Sequence, residues 1–117
     1  MLHHVSLEVG TDDIERAARF FQLAGFEPVQ APDPIAPYVT WLERSATQVH
    51  LIATPEATVP QLGHPALVVD NFAATVEALR SDGFEVEDAR ELWGEPRAFG
   101  VLPGGQRVEL MAAPPPG

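Results

Sequence analysis

The chain has 117 residues, which is enough to bury a hydrophobic core and is typical of one domain, residues 1–117. Its 17 acidic and 7 basic residues give a formal net charge of −10, which argues against nucleic acid and anionic membranes as partners because both require a basic patch. Cysteine is absent, so any metal ion must be held by imidazole and carboxylate, a donor set that favours Zn, Ni, Co, Mn or Fe.

The first predicted element is a strand with chemically useful side chains on its polar face. In residues 3–9, HHVSLEV, polar and apolar residues alternate, so that the apolar ones face a core and His4, Ser6 and Glu8 share the opposite face. Such a run is common in any half-buried strand. It becomes informative because the chain contains a second copy of it.

A helical pattern follows the first strand. Asp12 and Glu15 have the spacing of a capping box at its start, and Gly25 suits the left-handed position that ends a helix. Further strand-like runs cover residues 27–30, 38–43 and 48–55. The first half therefore predicts the order strand, helix, strand, strand, strand.

The second half repeats this order about 60 residues later. GHPALVV aligns with HHVSLEV so that His64 matches His4, and a second helical pattern ends at Gly83, followed by Phe-Glu as in the first half. Strand-like runs cover residues 85–87, 97–102 and 107–114. We therefore predict an α+β fold of two tandem βαβββ modules, with boundaries at 1–54 for the first module, 55–62 for a linker, 63–113 for the second module and 114–117 for a proline-rich tail.

Four polar side chains occupy repeat-related positions. His4 matches His64 at the first strand of each half, and His50 matches Glu109 at the last strand. Glu109 stands between apolar neighbours, where an unpartnered carboxylate would cost several kcal/mol, so it needs a cation or hydrogen-bond donors. Three imidazoles and one carboxylate suit a divalent metal ion with open coordination positions.

Simpler interpretations of the same residues stand beside the metal hypothesis. A single histidine at the start of a strand is commonly a hydrogen-bonded surface residue, and we assign His3 to that class because alternation turns it away from His4. If the register of the strand is shifted by one residue, His3 is the ligand instead. Glu109 alone is explained equally well by an ion pair with Arg97 or Arg107. The four residues taken together favour the metal.

The chain resembles the vicinal oxygen chelate superfamily, also called the glyoxalase/bleomycin-resistance/dioxygenase fold. The matching segments span residues 2–111 and are LHHVSLEV, DIERAARFFQLAGFEPV, QVHLI, GHPALVVDN, GFEVE and PGGQRVEL. The resemblance implies that the two modules form a cupped, incompletely closed eight-stranded sheet around a divalent metal ion. For small members it also implies a homodimer.

Carried over position by position, the superfamily's metal ligands fall on His4, His50, His64 and Glu109. Glyoxalase I enzymes usually carry a glutamate where His50 stands, so His50 is either the fourth ligand or a general base near the metal. Ser6 and Glu8 are further catalytic candidates, Ser6 as a hydrogen-bond partner of the substrate and Glu8 as a second base, for which the alternative is a solvated carboxylate at the rim of the site.

The expected function is that of a metal-dependent enzyme that binds adjacent oxygens of a small substrate, as a glyoxalase-like lyase or isomerase or as a dioxygenase. The alternative is a metal-free protein that binds a drug or antibiotic, as in the bleomycin-resistance branch. Because no apolar run approaches the length of a membrane span and no secretory signal opens the sequence, we expect a cytoplasmic location.

Overall fold

The computed structural model describes all residues, 1–117. The chain forms two compact units, Met1–Val59 and Pro60–Gly117. The division falls within the segment that the sequence predicts as a linker.

The first unit contains four strands and one α-helix. In chain order they are β1 (His4–Gly10), a short 3₁₀ helix (Thr11–Asp13), α1 (Ile14–Leu23), β2 (Glu27–Val29), β3 (Val39–Arg44) and β4 (Thr47–Thr54). The strands form one sheet in the order β1-β4-β3-β2, in which β1 and β4 are parallel and the other pairs antiparallel.

The second unit repeats this arrangement. Its elements are β5 (Ala66–Val68), α2 (Phe72–Ser81), β6 (Val86–Ala89), β7 (Arg97–Val101) and β8 (Arg107–Met111). The sheet order β5-β8-β7-β6, with β5 and β8 parallel, is that of the first unit. Neither of the two helices is long and apolar enough to cross a membrane.

The internal repeat extends to the strand register. In the parallel pair of the first unit Ser6 lies opposite His50, and in that of the second unit Ala66 lies opposite Glu109. The aligned positions of the two halves therefore occupy equivalent places in the two sheets. The predicted α+β fold with two βαβββ modules is confirmed.

One face of each sheet forms a hydrophobic core. In the first unit, Phe20 and Phe21 of α1 are fully buried against the sheet. The buried apolar residues of its strands are Leu7, Val9, Leu42, Val49 and Leu51. In the second unit, the buried apolar residues of the strands, the helix and the segment after β5 include Val69, Val76, Leu79, Ala98, Val108 and Leu110. Since the apolar side chains fill one face, the polar residues of the same strands are left on the other.

Both helices end in the same glycine motif. Gly25 and Gly83 have φ of 101° and 93°, a conformation that costs glycine nothing and other residues about 1 kcal/mol. The amide of Phe26 donates to the carbonyl of Phe21, and that of Phe84 donates to that of Leu79, as in a Schellman motif. The repeated Gly-Phe dipeptide of the sequence is thus a repeated helix stop.

The predicted capping box at the start of α1 is wrong. Residues Thr11–Asp13 form a 3₁₀ turn, so α1 begins at Ile14, and its N-cap residue Asp13 makes no side-chain hydrogen bond to the helix. Because the turn delays the helix, Asp12 lies before the cap and cannot pair with Glu15 in the predicted way. At the equivalent end of α2, Asn71 accepts a hydrogen bond from the amide of Ala74.

The glycine motif gives a stability prediction. We expect Gly25→Ala and Gly83→Ala each to lower the free energy of unfolding by about 1 kcal/mol, because alanine is strained at positive φ. Gly63→Ala is the matched control, since the backbone at Gly63 is not in the left-handed region and the added methyl would meet Pro60 at an ordinary 3.6 Å. Urea unfolding measures all three, and equal stability of the Gly25 variant and the control would contradict the assignment.

Candidate functional site

In the first unit, the polar face of the sheet carries the predicted site residues His4, Ser6, Glu8 and His50. The three β1 residues are exposed, whereas His50, on the central strand β4, is only 7% exposed. Because β4 is flanked by β1 and β3, the imidazole of His50 stands among side chains from both neighbours.

The imidazole of His50 is stacked between two other rings. Trp41 lies opposite it on β3, with ring centroids 4.0 Å apart and planes within 3° of parallel. On its other side the ring of His4 lies 4.0 Å away at an angle of 19°. The plane of the His50 ring is thus held on both faces.

The electrostatic surroundings keep His50 neutral at neutral pH. Burial lowers the pKa of His50 below its ordinary value, and the neighbouring imidazoles of His4 and His3 lower it further. Its Nε2 lies 2.7 Å from the side-chain oxygen of Gln48. A neutral imidazole can act as a metal ligand or as a proton acceptor.

His3 does not turn away from His4 as alternation predicts. Their Nδ1 atoms are 3.0 Å apart and their rings meet edge to face. The reason is that β1 begins at His4, so the alternation of the strand does not extend to His3.

The other two candidates of the first unit have different surroundings. Ser6 lies opposite His50 in the parallel register, with an exposed hydroxyl. The carboxylate of Glu8 accepts a hydrogen bond from the amide of Thr58, at 3.2 Å, in the segment after β4.

In the second unit, Glu109 is the centre of a hydrogen-bonded cluster. It is 8% exposed, and its two carboxylate oxygens have different partners. Nε2 of His64 lies 3.0 Å from Oε1, and Nε of Arg97 donates to Oε2 at 3.0 Å. Arg97 also donates to the carbonyl of Arg90. Of the two arginines that the sequence offers as partners, Arg97 is therefore the one that pairs with Glu109.

These donors keep the buried carboxylate ionised. Burial alone would raise the pKa of Glu109, but hydrogen bonds from Arg97 and His64 and their positive charge outweigh it and hold the pKa below its ordinary value. Arg107 has another role, because its guanidinium lies over the ring of Phe99, 4.0 Å from the centroid.

His64 has the surroundings of a metal-binding histidine. Its Nδ1 donates to the carbonyl of Leu62 at 2.8 Å, an outer contact of the kind that orients histidine ligands and leaves Nε2 for the ion. His64 lies just before β5 rather than on it, because Pro65 separates it from the first residue of that strand. The prediction that His64 lies on the strand is wrong by two residues.

The separation of His64 and Glu109 fits two ligands of one ion. Atoms that lie about 2.0–2.2 Å from an ion, at roughly 90–110° to each other, are about 2.8–3.6 Å apart. The Nε2–Oε1 distance is 3.0 Å. Without an ion, Nε2 of His64 donates to Oε1 of Glu109, and a divalent ion bound by both atoms would take the place of that proton. The pair therefore suits a divalent metal ion.

The structure contains no group of three or more His, Asp or Glu side chains that could hold a metal ion. The first unit brings His4 next to His50, and the second brings His64 next to Glu109.

Three residues around His50 were not predicted from the sequence. Trp41 stacks on it, Gln48 bonds to Nε2, and Glu43 accepts from the amide nitrogen of Gln48 at 3.0 Å. The signal was available in the two-residue connection 45–46 between β3 and β4, since so short a hairpin determines which residues lie opposite. That register pairs Glu43 with Gln48 and Trp41 with His50.

Comparison with known proteins gives matches in structure only. A scan of protein-family models and a search of curated proteins found no match. Among solved structures, a glyoxalase family protein from Bacillus anthracis superposes with a TM-score of 0.82 at 22% identity, covering 95% of this chain and 93% of its own. The oxidase ChaP-H2 gives 0.77 at 20% identity, covering 98% and 94%.

A bleomycin resistance determinant encoded on the transposon Tn5 is also similar, with a TM-score of 0.64 at 19% identity over 92% of this chain and 94% of that one. These proteins share an architecture and differ in what their names say they do. At such low identities the likeness shows the fold and no activity. The chain therefore has the vicinal oxygen chelate fold, the one that its sequence resembles.

Proposed function

We propose that the protein binds one divalent metal ion through His64, Glu109 and His4, with His50 as the fourth ligand or as a base beside the ion. The observation that carries the proposal is the 3.0 Å contact between Nε2 of His64 and the Glu109 carboxylate, with Nδ1 of His64 bonded to Leu62. The His4 and His50 pair stands at the equivalent register of the other unit.

The proposed reaction acts on a small substrate with two adjacent oxygens, in a glyoxalase-like lyase or isomerase or a dioxygenase. When bound, the ion supplies a Lewis acid that polarises substrate oxygens. His50 supplies a neutral imidazole, and Ser6 supplies a hydroxyl on the same face of the sheet. Glu8 is a second candidate base. Similarity in fold to an oxidase and to a glyoxalase family protein supports this class of chemistry.

A metal-free binding protein is the second candidate. Arg97 already compensates the charge of Glu109, so the buried carboxylate needs no ion to be tolerated. The similarity in fold to a bleomycin resistance determinant is consistent with this alternative. Under either function the partner is a small molecule, and the homodimer that the resemblance implies remains a prediction.

Metal binding by untagged protein tests the proposal. We expect one equivalent of Zn, Ni, Co, Mn or Fe in its divalent form to bind per site, and His64→Ala and Glu109→Gln each to weaken binding by more than the roughly 10- to 100-fold that loss of an outer contact costs. Calorimetric titration after dialysis against a chelator measures the affinity.

Glu77→Gln is the matched control for Glu109→Gln in this titration, because Glu77 is an exposed carboxylate on α2 outside the proposed ligand set. It should bind the ion as the unaltered chain does. If the protein binds no ion stoichiometrically but still binds a hydrophobic drug, the metal-free alternative is correct.

The ion pair of Arg97 gives a prediction that links metal binding to stability. We expect Arg97→Met to lower the free energy of unfolding by about 3 kcal/mol in metal-free protein, since it leaves a buried carboxylate without its main donor. A saturating divalent ion should restore most of the loss, because it replaces the missing positive charge. Thermal unfolding with and without metal measures both effects.

Arg107→Met is the control for Arg97→Met. It removes a guanidinium that lies over Phe99 and makes no ion pair with Glu109, so it should cost about 0.5–1 kcal/mol with no dependence on metal. An equal response of the two variants to metal would contradict the assigned role of Arg97.

A further inference from the structure

A chain of hydrogen bonds crosses the polar face of the first sheet from Glu43 to His50. Glu43 and Gln48 lie opposite each other on β3 and β4, and Nε2 of Gln48 donates to Oε1 of Glu43 at 3.0 Å. A carboxylate only accepts hydrogen bonds, so the nitrogen of the Gln48 amide must face Glu43. The oxygen of that amide therefore faces the other way.

The orientation of Gln48 determines which nitrogen of His50 carries the proton. The Gln48 oxygen lies 2.7 Å from Nε2 of His50, and an amide oxygen only accepts. Nε2 must therefore be the N–H of the ring. A neutral imidazole has one N–H, which leaves Nδ1 with a free lone pair.

Nδ1 of His50 is not fully buried. Every fully buried side-chain nitrogen or oxygen has a hydrogen-bond partner, whereas Nδ1 of His50 has none within the chain. The rings of Trp41 and His4 cover the two faces of the imidazole. The free edge at Nδ1 is thus the part of His50 that can meet another molecule.

We propose that Gln48, held by Glu43, is a positioning residue that locks His50 in the Nε2–H tautomer, so that Nδ1 is the atom through which His50 acts. What Nδ1 then contacts, an ion or a substrate proton, rests on the proposed function, whereas the tautomer does not. Histidines bind metals through either nitrogen, and the nitrogen used is set by the hydrogen bond that the other one makes.

His64 presents the opposite nitrogen. Its Nδ1 donates to a backbone carbonyl and its Nε2 faces Glu109, the other proposed ligand, whereas His50 donates from Nε2 and leaves Nδ1 without a partner. The aligned partner of His50 is Glu109, a residue with no tautomer to control. Only the first unit has a histidine at this position, so only there can Gln48 and Glu43 determine a tautomer.

Nitrogen-15 NMR of the histidine side chains, on metal-free protein at neutral pH, tests the proposal. For His50 we expect the chemical shifts of a single Nε2–H tautomer. In Gln48→Leu we expect intermediate shifts from a mixture of both tautomers, because leucine offers no acceptor. A single Nδ1–H tautomer in the unaltered chain, or an unchanged spectrum in Gln48→Leu, would overturn the proposal.

Variants of Glu43 separate positioning from simple packing. Glu43→Leu removes the acceptor that orients Gln48, so the mixture should appear there as well. The double variant Glu43→Gln with Gln48→Glu exchanges donor and acceptor but keeps an oxygen facing Nε2, and it should recover the single tautomer. Glu27→Leu is the control, since Glu27 lies opposite Glu43 on β2 and loses the same side chain. A mixture in Glu27→Leu, or none in Glu43→Leu, would contradict the role of Glu43.

Metal titration of the same variants distinguishes this inference from the proposed function. If both hold, Gln48→Leu should weaken metal binding by about 10- to 100-fold, as loss of an outer partner does. A protein that binds no metal but shows the single tautomer would refute the metal centre and leave the role of Gln48 intact. A protein that binds metal equally well with and without Gln48 would show that His50 does not reach the ion through Nδ1.

Discussion

The burial of one carboxylate constrains the second unit of this protein. Glu109 lies on the central strand β8 between two residues of the hydrophobic core, and a charged group in such a place is tolerated only with donors or a cation. Arg97 and His64 provide these donors, one to each oxygen. The same geometry that satisfies the carboxylate leaves Oε1 of Glu109 and Nε2 of His64 at the separation of two metal ligands, so stability and the proposed metal binding depend on one cluster.

The two units use equivalent positions for different chemistry. His50 and Glu109 share a place in the register of their sheets, and each faces an aromatic residue on the next strand, Trp41 or Phe99. In the first unit the aromatic ring stacks on an imidazole, and in the second an arginine adds the positive charge that a carboxylate requires. A duplicated module has thus diverged in its polar face while the strand order and helix stops remained the same.

The fold could be predicted from local signals, and the site only in part. Alternation and the Gly-Phe helix stops are short-range patterns, so the strands, the helix ends and the repeat were found. Which arginine pairs with Glu109 depends on side-chain directions in three dimensions, so the sequence could not decide whether Arg97 or Arg107 is the partner. The hairpin register places Glu43 opposite Gln48 and Trp41 opposite His50. The alternation of polar and apolar residues shows which residues share a face, but it does not show which residues lie opposite each other.

A crystal structure of the metal-soaked protein, with anomalous data at the absorption edge of the ion, would show whether His64 and Glu109 hold one metal ion. We expect one anomalous peak about 2.0–2.2 Å from both Nε2 of His64 and a carboxylate oxygen of Glu109. A map with no peak there, in which His64 still bonds directly to Glu109, would contradict the proposed metal centre.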